Sequence, residues 1–225
     1  MQTPIVSFEG FQSGDRLKIL DTVSNVDRAL SDLGFMASSD LGFSEELIAK
    51  VFEASETFFL SDTKNKMRSA YLSAEENFGY QAFASEHLDP ASPADLKETF
   101  TMRNILNATI EENRWPSVEF KELMQLFFAE CLERAFLLQR ILAKALNLEE
   151  DFFVKFHSGQ NISLRLLHYP VCSSDKVQDS QLGAGAHTDY GLTTFLFQDS
   201  VGGLQICDQD GNWQDVEPDK SVVLI

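Results

Sequence analysis

The spacing of apolar residues changes once along this chain, near residue 157, and that change limits the fold more than any other feature. Before it, apolar residues recur every three or four positions, the step that lines one face of a helix; after it come short β-favouring runs cut by turn residues. Over residues 13–33 the repeat is Leu17, Leu20, Val23, Val26, Leu30 and Leu33, and Gly34 stops it. Ser44 is placed to cap a second helix with the stripe Leu47, Ile48, Val51, Phe52, Ser55, Phe58 and Phe59. Between 61 and 116 the periodicity fades into Asn77, Gly79, Asp89, Pro90, Ser92, Pro93 and Asn113, which predicts a loop-rich stretch. Pro116 and Ser117 then open the longest helix, striped by Phe120, Leu123, Met124, Phe127, Cys131, Leu138, Ile141, Leu142 and Ala145. At 1.5 Å per residue such a helix reaches roughly 45 Å and must lie along something sizeable. Its phenylalanines Phe127, Phe128 and Phe136 read as core packing.

After Asn161 the β-favouring runs are 162–169, 192–197, 204–207, 213–216 and 221–225, punctuated by Pro170, Gly191, Gly202-Gly203, Asp210-Gly211 and Pro218. Short strands so spaced predict an antiparallel sandwich or barrel, not a parallel α/β sheet. The expected class is mainly β with flanking helices (α+β), in three parts: a helical and mixed region at 1–116, a long supporting helix within 117–157, and a β region at 158–225.

Charge narrows the function classes. Among 225 residues, 18 Lys and Arg face 35 Asp and Glu, so the formal net charge is 18 − 35 = −17. Such a surface repels phosphates, and no basic patch offsets it, so no nucleic-acid partner is expected. With 44% hydrophobic and 24% charged residues the chain can bury a core and is not an acidic disordered tail. No run approaches the roughly 20 apolar residues of a membrane span, and MQTPIVSFEG lacks a signal peptide's basic-then-apolar order. A cytoplasmic protein without membrane contact is the expectation. Cys131, Cys172 and Cys207 form no C-x-x-C pair and read as reduced thiols. G-x-S-x-G, the P-loop and G-x-G-x-x-G are absent, and no carboxylate spacing singles out a glycosidase pair.

The sharpest local feature is Ala186-His187-Thr188-Asp189-Tyr190-Gly191. In an extended segment residues i and i+2 share a face, so His187 and Asp189 present an imidazole nitrogen and a carboxylate oxygen side by side. One nitrogen and one oxygen donor, joined by a further histidine, make the 2-His-1-carboxylate triad that leaves positions open on Fe(II). Alone, H-x-D is a common tripeptide. Context raises its weight: Leu164-Arg165-Leu166-Leu167-His168-Tyr169-Pro170, then 185–199 around the pair, then Val201-Gly202-Gly203-Leu204-Gln205-Ile206, then Gly211-Asn212-Trp213-Gln214-Asp215-Val216-Glu217-Pro218. In order and spacing these resemble the isopenicillin-N-synthase-like family of Fe(II)/2-oxoglutarate-dependent oxygenases. Fainter matches upstream include Gly34-Phe35, Gly79-Tyr80, Lys97-Glu98-Thr99-Phe100 and Asn113-Arg114-Trp115-Pro116.

The resemblance implies a double-stranded β-helix, or jelly roll, behind N-terminal helices, with 158–225 as its first part. It implies Fe(II) held by His187 and Asp189, 2-oxoglutarate as cosubstrate, O₂, and a small-molecule substrate. Tyr169 matches a tyrosine that in several relatives bonds the distal carboxylate of 2-oxoglutarate. Arg165, four residues before it on one strand, faces the same side and could meet an anionic group or form a structural salt bridge. Family members place a second iron histidine, and then an Arg-x-Ser, well downstream of the aspartate. Here 225 − 189 = 36 residues follow Asp189, so both are expected beyond Ile225 and the chain reads as C-terminally incomplete. His168, facing opposite to Tyr169, and His157 and His87 read as non-ligands. Three readings stand at this point: an active oxygenase, a truncated non-catalytic fragment or pseudoenzyme, and a 2-oxoglutarate-independent oxidase of the same family. Oligomeric state is not legible in the sequence.

Overall fold

A computed structural model describes residues 3–89, 92–157, 159, 161–173 and 177–225; Pro90, expected as turn punctuation, lies outside them. In chain order the elements are α1 (Glu9–Gln12), α2 (Arg16–Asp32), β1 (Ala37–Ser38), α3 (Glu45–Phe59), α4 (Thr63–Met67), β2 (Phe78–Gln81), β3 (Glu98–Arg103), a 3-10 turn (Glu112–Arg114), α5 (Val118–Ala145), α6 (Phe152–Phe156), β4 (Ser163–His168), β5 (Gln205–Cys207), β6 (Trp213–Asp215) and β7 (Val223–Leu224). Among the described residues helix outweighs strand, so the expected β majority is corrected, while the combination of helices with antiparallel sheets is what forms. The runs rich in β-formers after residue 161 give only short strands. They divide the chain's turns among many loops. No described helix is long and apolar enough to cross a membrane, and the three cysteines are free. Two compact units divide the chain: Met1–Glu45, Glu130–His157 and Gly191–Ile225 form one, Glu46–Ala129 and Ser158–Tyr190 the other.

In the first unit, the helix expected over 13–33 is α2, which begins at Arg16 because Gly14 turns the chain at φ +73° and Asp15 is extended. Asp15 accepts the Leu17 N–H at 2.9 Å and so caps α2. Its buried face is Thr22, Val26 and Ala29, flanked by half-buried Ile19, Val23, Leu30 and Leu33. Leu17 and Leu20, counted into the stripe from their type, point to water instead. Val6, Phe8, Val26, Met36 and Leu41 pack with Leu138 and Ile141 of α5 as one core. β1 pairs antiparallel with β7, Ala37 opposite Leu224, and a smaller cluster of Ala37, Ile206, Val216 and Leu224 lies beneath. β5 and β6 form a hairpin whose turn is held by Asp208, which accepts the N–H groups of Asp210 and Asn212. The strand expected over 192–197 reduces to one bridge, Leu196 with Leu224.

The second unit is built on the antiparallel sheet β2-β3-β4, with Phe100 of β3 between Tyr80 and Leu166. The loop-rich reading of 61–116 is therefore corrected: that stretch holds α4, β2 and β3. β3 is buried on both faces, so Glu98, Thr99 and Thr101 lie inside and conceal the alternation by which a half-exposed strand is read. Gly79 is required in β2: its φ is +121°, and a Cβ there meets the Ser69 and Ala70 carbonyl oxygens at 2.6 and 2.7 Å. One face of the sheet carries edge-to-face aromatics, with Phe58 against Tyr80 and Phe100, and Phe78 against Trp115. Arg114 closes the edge of this cluster by pairing with Glu76 (2.8 Å) and donating to the Ala70 carbonyl (3.0 Å).

Within that apolar face sits one charged knot. Lys66 donates to Glu98 (2.7 Å) and to the Phe59 carbonyl (2.9 Å), and Glu98 also accepts from the Tyr80 hydroxyl and from His168 Nδ1 (2.8 Å). Burial by itself raises the Glu98 pKa, but the donors from Lys66, Tyr80 and His168 outweigh it and hold the carboxyl below its ordinary 4.5. Burial and the Glu98 charge push the Tyr80 phenol up. A carboxylate whose pKa is lower folded than unfolded stabilises the fold fully above the unfolded value, and that contribution drains as pH falls through the folded value. Lys66→Met leaves a buried anion short of its cation. We expect it to cost about 3–5 kcal/mol in urea unfolding at neutral pH, with the deficit relative to wild type shrinking below about pH 4 as Glu98 protonates.

Candidate metal centre

His187 and Asp189 lie in the second unit, on the loop that follows β4, outside any strand. The extended-strand argument for their convergence is thus corrected in its premise, yet the two side chains do meet: His187 Nε2 is 3.4 Å from Asp189 Oδ1. Both are solvent-accessible, with side chains 39% and 54% exposed, rather than enclosed in a dry pocket. His187 Nδ1 lies 2.8 Å from the Gly185 carbonyl oxygen. A carbonyl only accepts, so Nδ1 is the nitrogen that donates in this contact, and in the matching neutral tautomer the lone pair is on Nε2, the atom beside Asp189.

This donor set fits a divalent metal. Two donors each about 2.1 Å from one ion and at right angles stand about 3 Å apart, near the 3.4 Å observed. Imidazole nitrogen with carboxylate oxygen suits Fe(II) better than the all-oxygen sites of calcium or the thiolate sites of structural zinc. Among the described residues no group of three or more His, Cys, Asp or Glu side chains gathers as a metal site, so this pair stands as two donors.

Tyr169 follows β4 directly, and Arg165 lies within it on the opposite face from His168, as strand alternation requires. Gly183 passes so close to the Tyr169 ring that a Cβ there falls 3.0 Å from it. Desolvation, then the Asp95 carboxylate, push the Tyr169 phenol pKa up, against an opposing pull from Arg165. The Arg165 guanidinium pairs with Glu86 and donates to the Thr99 hydroxyl (3.2 Å), so the salt-bridge alternative for this residue is realised. Glu86 and Asp95 also face the ammonium of Lys97, at 3.9 and 2.6 Å. Sequence reasoning passed over Glu86 and Asp95 and met Lys97 only within the fainter Lys97-Glu98-Thr99-Phe100 match; the two acids both precede that match in an otherwise unpatterned stretch. The other histidines do not join the site: His168 bonds Glu98 and stacks on Phe59, His157 packs edge-on to Phe136, and His87 meets the Ser92 carbonyl.

Comparison with known proteins gives the family. Residues 3–118 match the family described as non-haem dioxygenase in morphine synthesis N-terminal, and residues 160–225 match the 2OG-Fe(II) oxygenase superfamily. A 2-oxoglutarate-Fe(II) type oxidoreductase of Aspergillus fumigatus is 32% identical over 96% of this chain and 68% of its own length. One of Emericella nidulans is 30% identical over 96% of this chain and 66% of its own, so the chain spans about two thirds of these relatives. A full-length Neurospora crassa protein crystallised with alpha-KG (2-oxoglutarate) superposes with a TM-score of 0.87 at 30% identity, covering 98% of this chain and 71% of that one. The same protein is also known in complex with alpha-KG and thymine. The chain belongs to the 2OG-Fe(II) oxygenase superfamily, oxidoreductases that work with iron(II), 2-oxoglutarate and O₂.

Proposed function

We propose that this chain carries the metal-binding part of an oxygenase that oxidises a small organic molecule, with His187 and Asp189 as two of its iron ligands. The observation that supports this best is the paired geometry of His187 Nε2 and Asp189 Oδ1 at 3.4 Å, with Nδ1 already committed to the Gly185 carbonyl. In this reading 158–225 belongs to a double-stranded β-helix, and 1–116 together with the helix within 117–157 supports it. Tyr169 offers its hydroxyl to the distal carboxylate of 2-oxoglutarate. Arg165, whose charge Glu86 already shares, adds positive potential behind that hydroxyl. Thymine in the Neurospora protein supports a small polar molecule as the class of substrate.

Bound iron(II) with 2-oxoglutarate supplies the power to use O₂ against an otherwise unreactive bond. The chain's own residues prepare for it. His187 must be neutral, and the hydrogen bond to Gly185 selects the tautomer that offers Nε2. Asp189 supplies a carboxylate oxygen, and its exposure leaves that oxygen open to a metal from solution.

An anaerobic titration of the 225-residue chain with Fe(II) and 2-oxoglutarate tests this reading through the visible metal-to-ligand charge-transfer band of the chelate. We expect a saturable band that His187→Ala and Asp189→Ala abolish; a band that survives both substitutions refutes the assignment. Tyr169→Phe tests the cosubstrate role. Loss of one hydrogen bond to a charged carboxylate is worth about 1.5 kcal/mol, or roughly tenfold. The half-saturating 2-oxoglutarate concentration should rise by that factor while Fe(II) affinity stays at the wild-type value, and an unchanged half-saturation removes Tyr169 from the site.

A further inference from the structure

The loop that bears His187 has no strand to stiffen it, so its precision must come from elsewhere in the second unit. Three contacts tie it to the stretch before β3. Leu96 N–H donates to the Leu182 carbonyl (2.9 Å), the Gln181 side-chain amide donates to the Ala94 carbonyl (2.7 Å), and Gly185 N–H donates to Asp95 Oδ1 (2.8 Å). The third lies one residue's backbone away from the carbonyl that holds the imidazole. Gly185 is buried, and a Cβ there falls 3.1 Å from the Asp89 backbone nitrogen and 3.2 Å from the Asp89 Cβ, so only glycine fits without displacing that neighbour.

Asp95 is an unusual choice for that task. It is 3% exposed, and its partner Lys97 has a side chain 1% exposed. Burying such a pair contributes little net stability compared with apolar residues of the same volume, so fixed direction is what it can supply. Both carboxylate oxygens are engaged. Oδ1 takes the Gly185 N–H, while Oδ2 takes Lys97 Nζ (2.6 Å) and the Leu88 N–H (3.2 Å). The backbone is held as well, Asp95 N–H donating to the Glu86 carbonyl at 2.8 Å. Burial by itself raises the Asp95 pKa, but Lys97 and the two N–H donors outweigh it, so the carboxylate stays ionised and a strong acceptor.

We infer that Asp95 is a positioning residue for the metal centre: through the Gly185 backbone it fixes the tautomer and direction of the His187 imidazole, with Lys97 holding the Asp95 carboxylate in place. Asp95 touches neither metal nor cosubstrate. It acts two groups away, as outer partners that orient ligating histidines do. The inference deepens the iron reading of His187 and rests on it for its functional meaning, but its first readout requires no metal.

The test is the ¹⁵N spectrum of the histidine rings in the metal-free chain at about pH 8, above the ordinary histidine range. Wild type should show His187 neutral with its proton on Nδ1; a ring protonated on Nε2 overturns the inference without any variant. In Asp95→Ala we expect a mixture of the two tautomers and anaerobic Fe(II) binding about 10- to 100-fold weaker, with the His157 and His168 signals unmoved as the sign of an intact fold. Asp95→Asn, which keeps an acceptor for the Gly185 N–H, should restore the Nδ1–H tautomer. Lys97→Met, should Asp95→Ala not fold, is expected to move the same two readings in the same direction. Folded Asp95→Ala with wild-type tautomer and wild-type Fe(II) affinity overturns the assignment. A chain whose His187 tautomer depends on Asp95 yet binds no Fe(II) upholds the positioning role and overturns the iron reading instead.

Discussion

A lysine ammonium that is almost wholly buried has to be answered by carboxylates, and much of the second unit is arranged around that demand. Lys97 is answered by Asp95 and Glu86 just before β3 enters the sheet. One residue later Glu98 turns to the other face and is answered by Lys66, Tyr80 and His168. Adjacent residues on a strand point to opposite sides, so Lys97 and Glu98 carry charge to both faces of one buried element. Each charge then recruits a different part of the chain: Lys66 brings the end of α4, Glu86 brings Arg165 of β4, and Asp95 brings the 181–185 loop. An apolar pair at these positions could fill the space equally well. It could not specify which segment docks there, because hydrophobic contact has no direction.

The sequence was most legible where periodicity or local chemistry speaks for itself. The 28-residue α5 follows from Pro116-Ser117 and a stripe of three- and four-residue steps. His187 and Asp189 were found because donors two residues apart can share a ligand, and they do converge, though on a loop. Less legible was anything depending on which face is buried. Leu17 and Leu20 were assigned to the core by type, yet the face of α2 is set by Thr22, Val26 and Ala29, a polar and a small residue standing where leucine was sought. The sheet strand β3 was read as loop because its threonines and its glutamate lie inside. A strand buried on both faces with partnered polar residues shows neither alternation nor a continuous apolar run. The runs at 192–197 and 221–225 have strand composition, but backbone pairing depends on a partner at the right register, which composition does not encode.

The proposed metal donors stand on a loop, whereas sites on helices or strands are held more closely. Here the loop borrows rigidity from the sheet beside it. Gly183 lets the chain pass close over the Tyr169 ring, where a Cβ falls 3.0 Å from it, and Gly185 presses against Asp89 and Asp95. These two glycines are therefore points of close contact. Flexibility in the unfolded chain becomes tight packing in the folded one, at the entropic cost that glycine always carries.

That arrangement separates two requirements which a metal site on a strand would have to meet together. As the proposed iron ligands, His187 and Asp189 need to remain accessible, since ligands must shed water and accept a metal from solution, and their exposure provides that. Their orientation needs to be fixed before the metal arrives, because a freely rotating imidazole loses rotamer entropy on binding and offers the wrong nitrogen part of the time. A buried carboxylate, holding a buried backbone amide, directing an exposed ring, meets both. The charged network lies where water cannot loosen it, and only its last member reaches the surface. On this view the buried charges just before β3 and the exposed donors of the loop are one device, and the 2.8 Å bonds on either side of Gly185 are its joint.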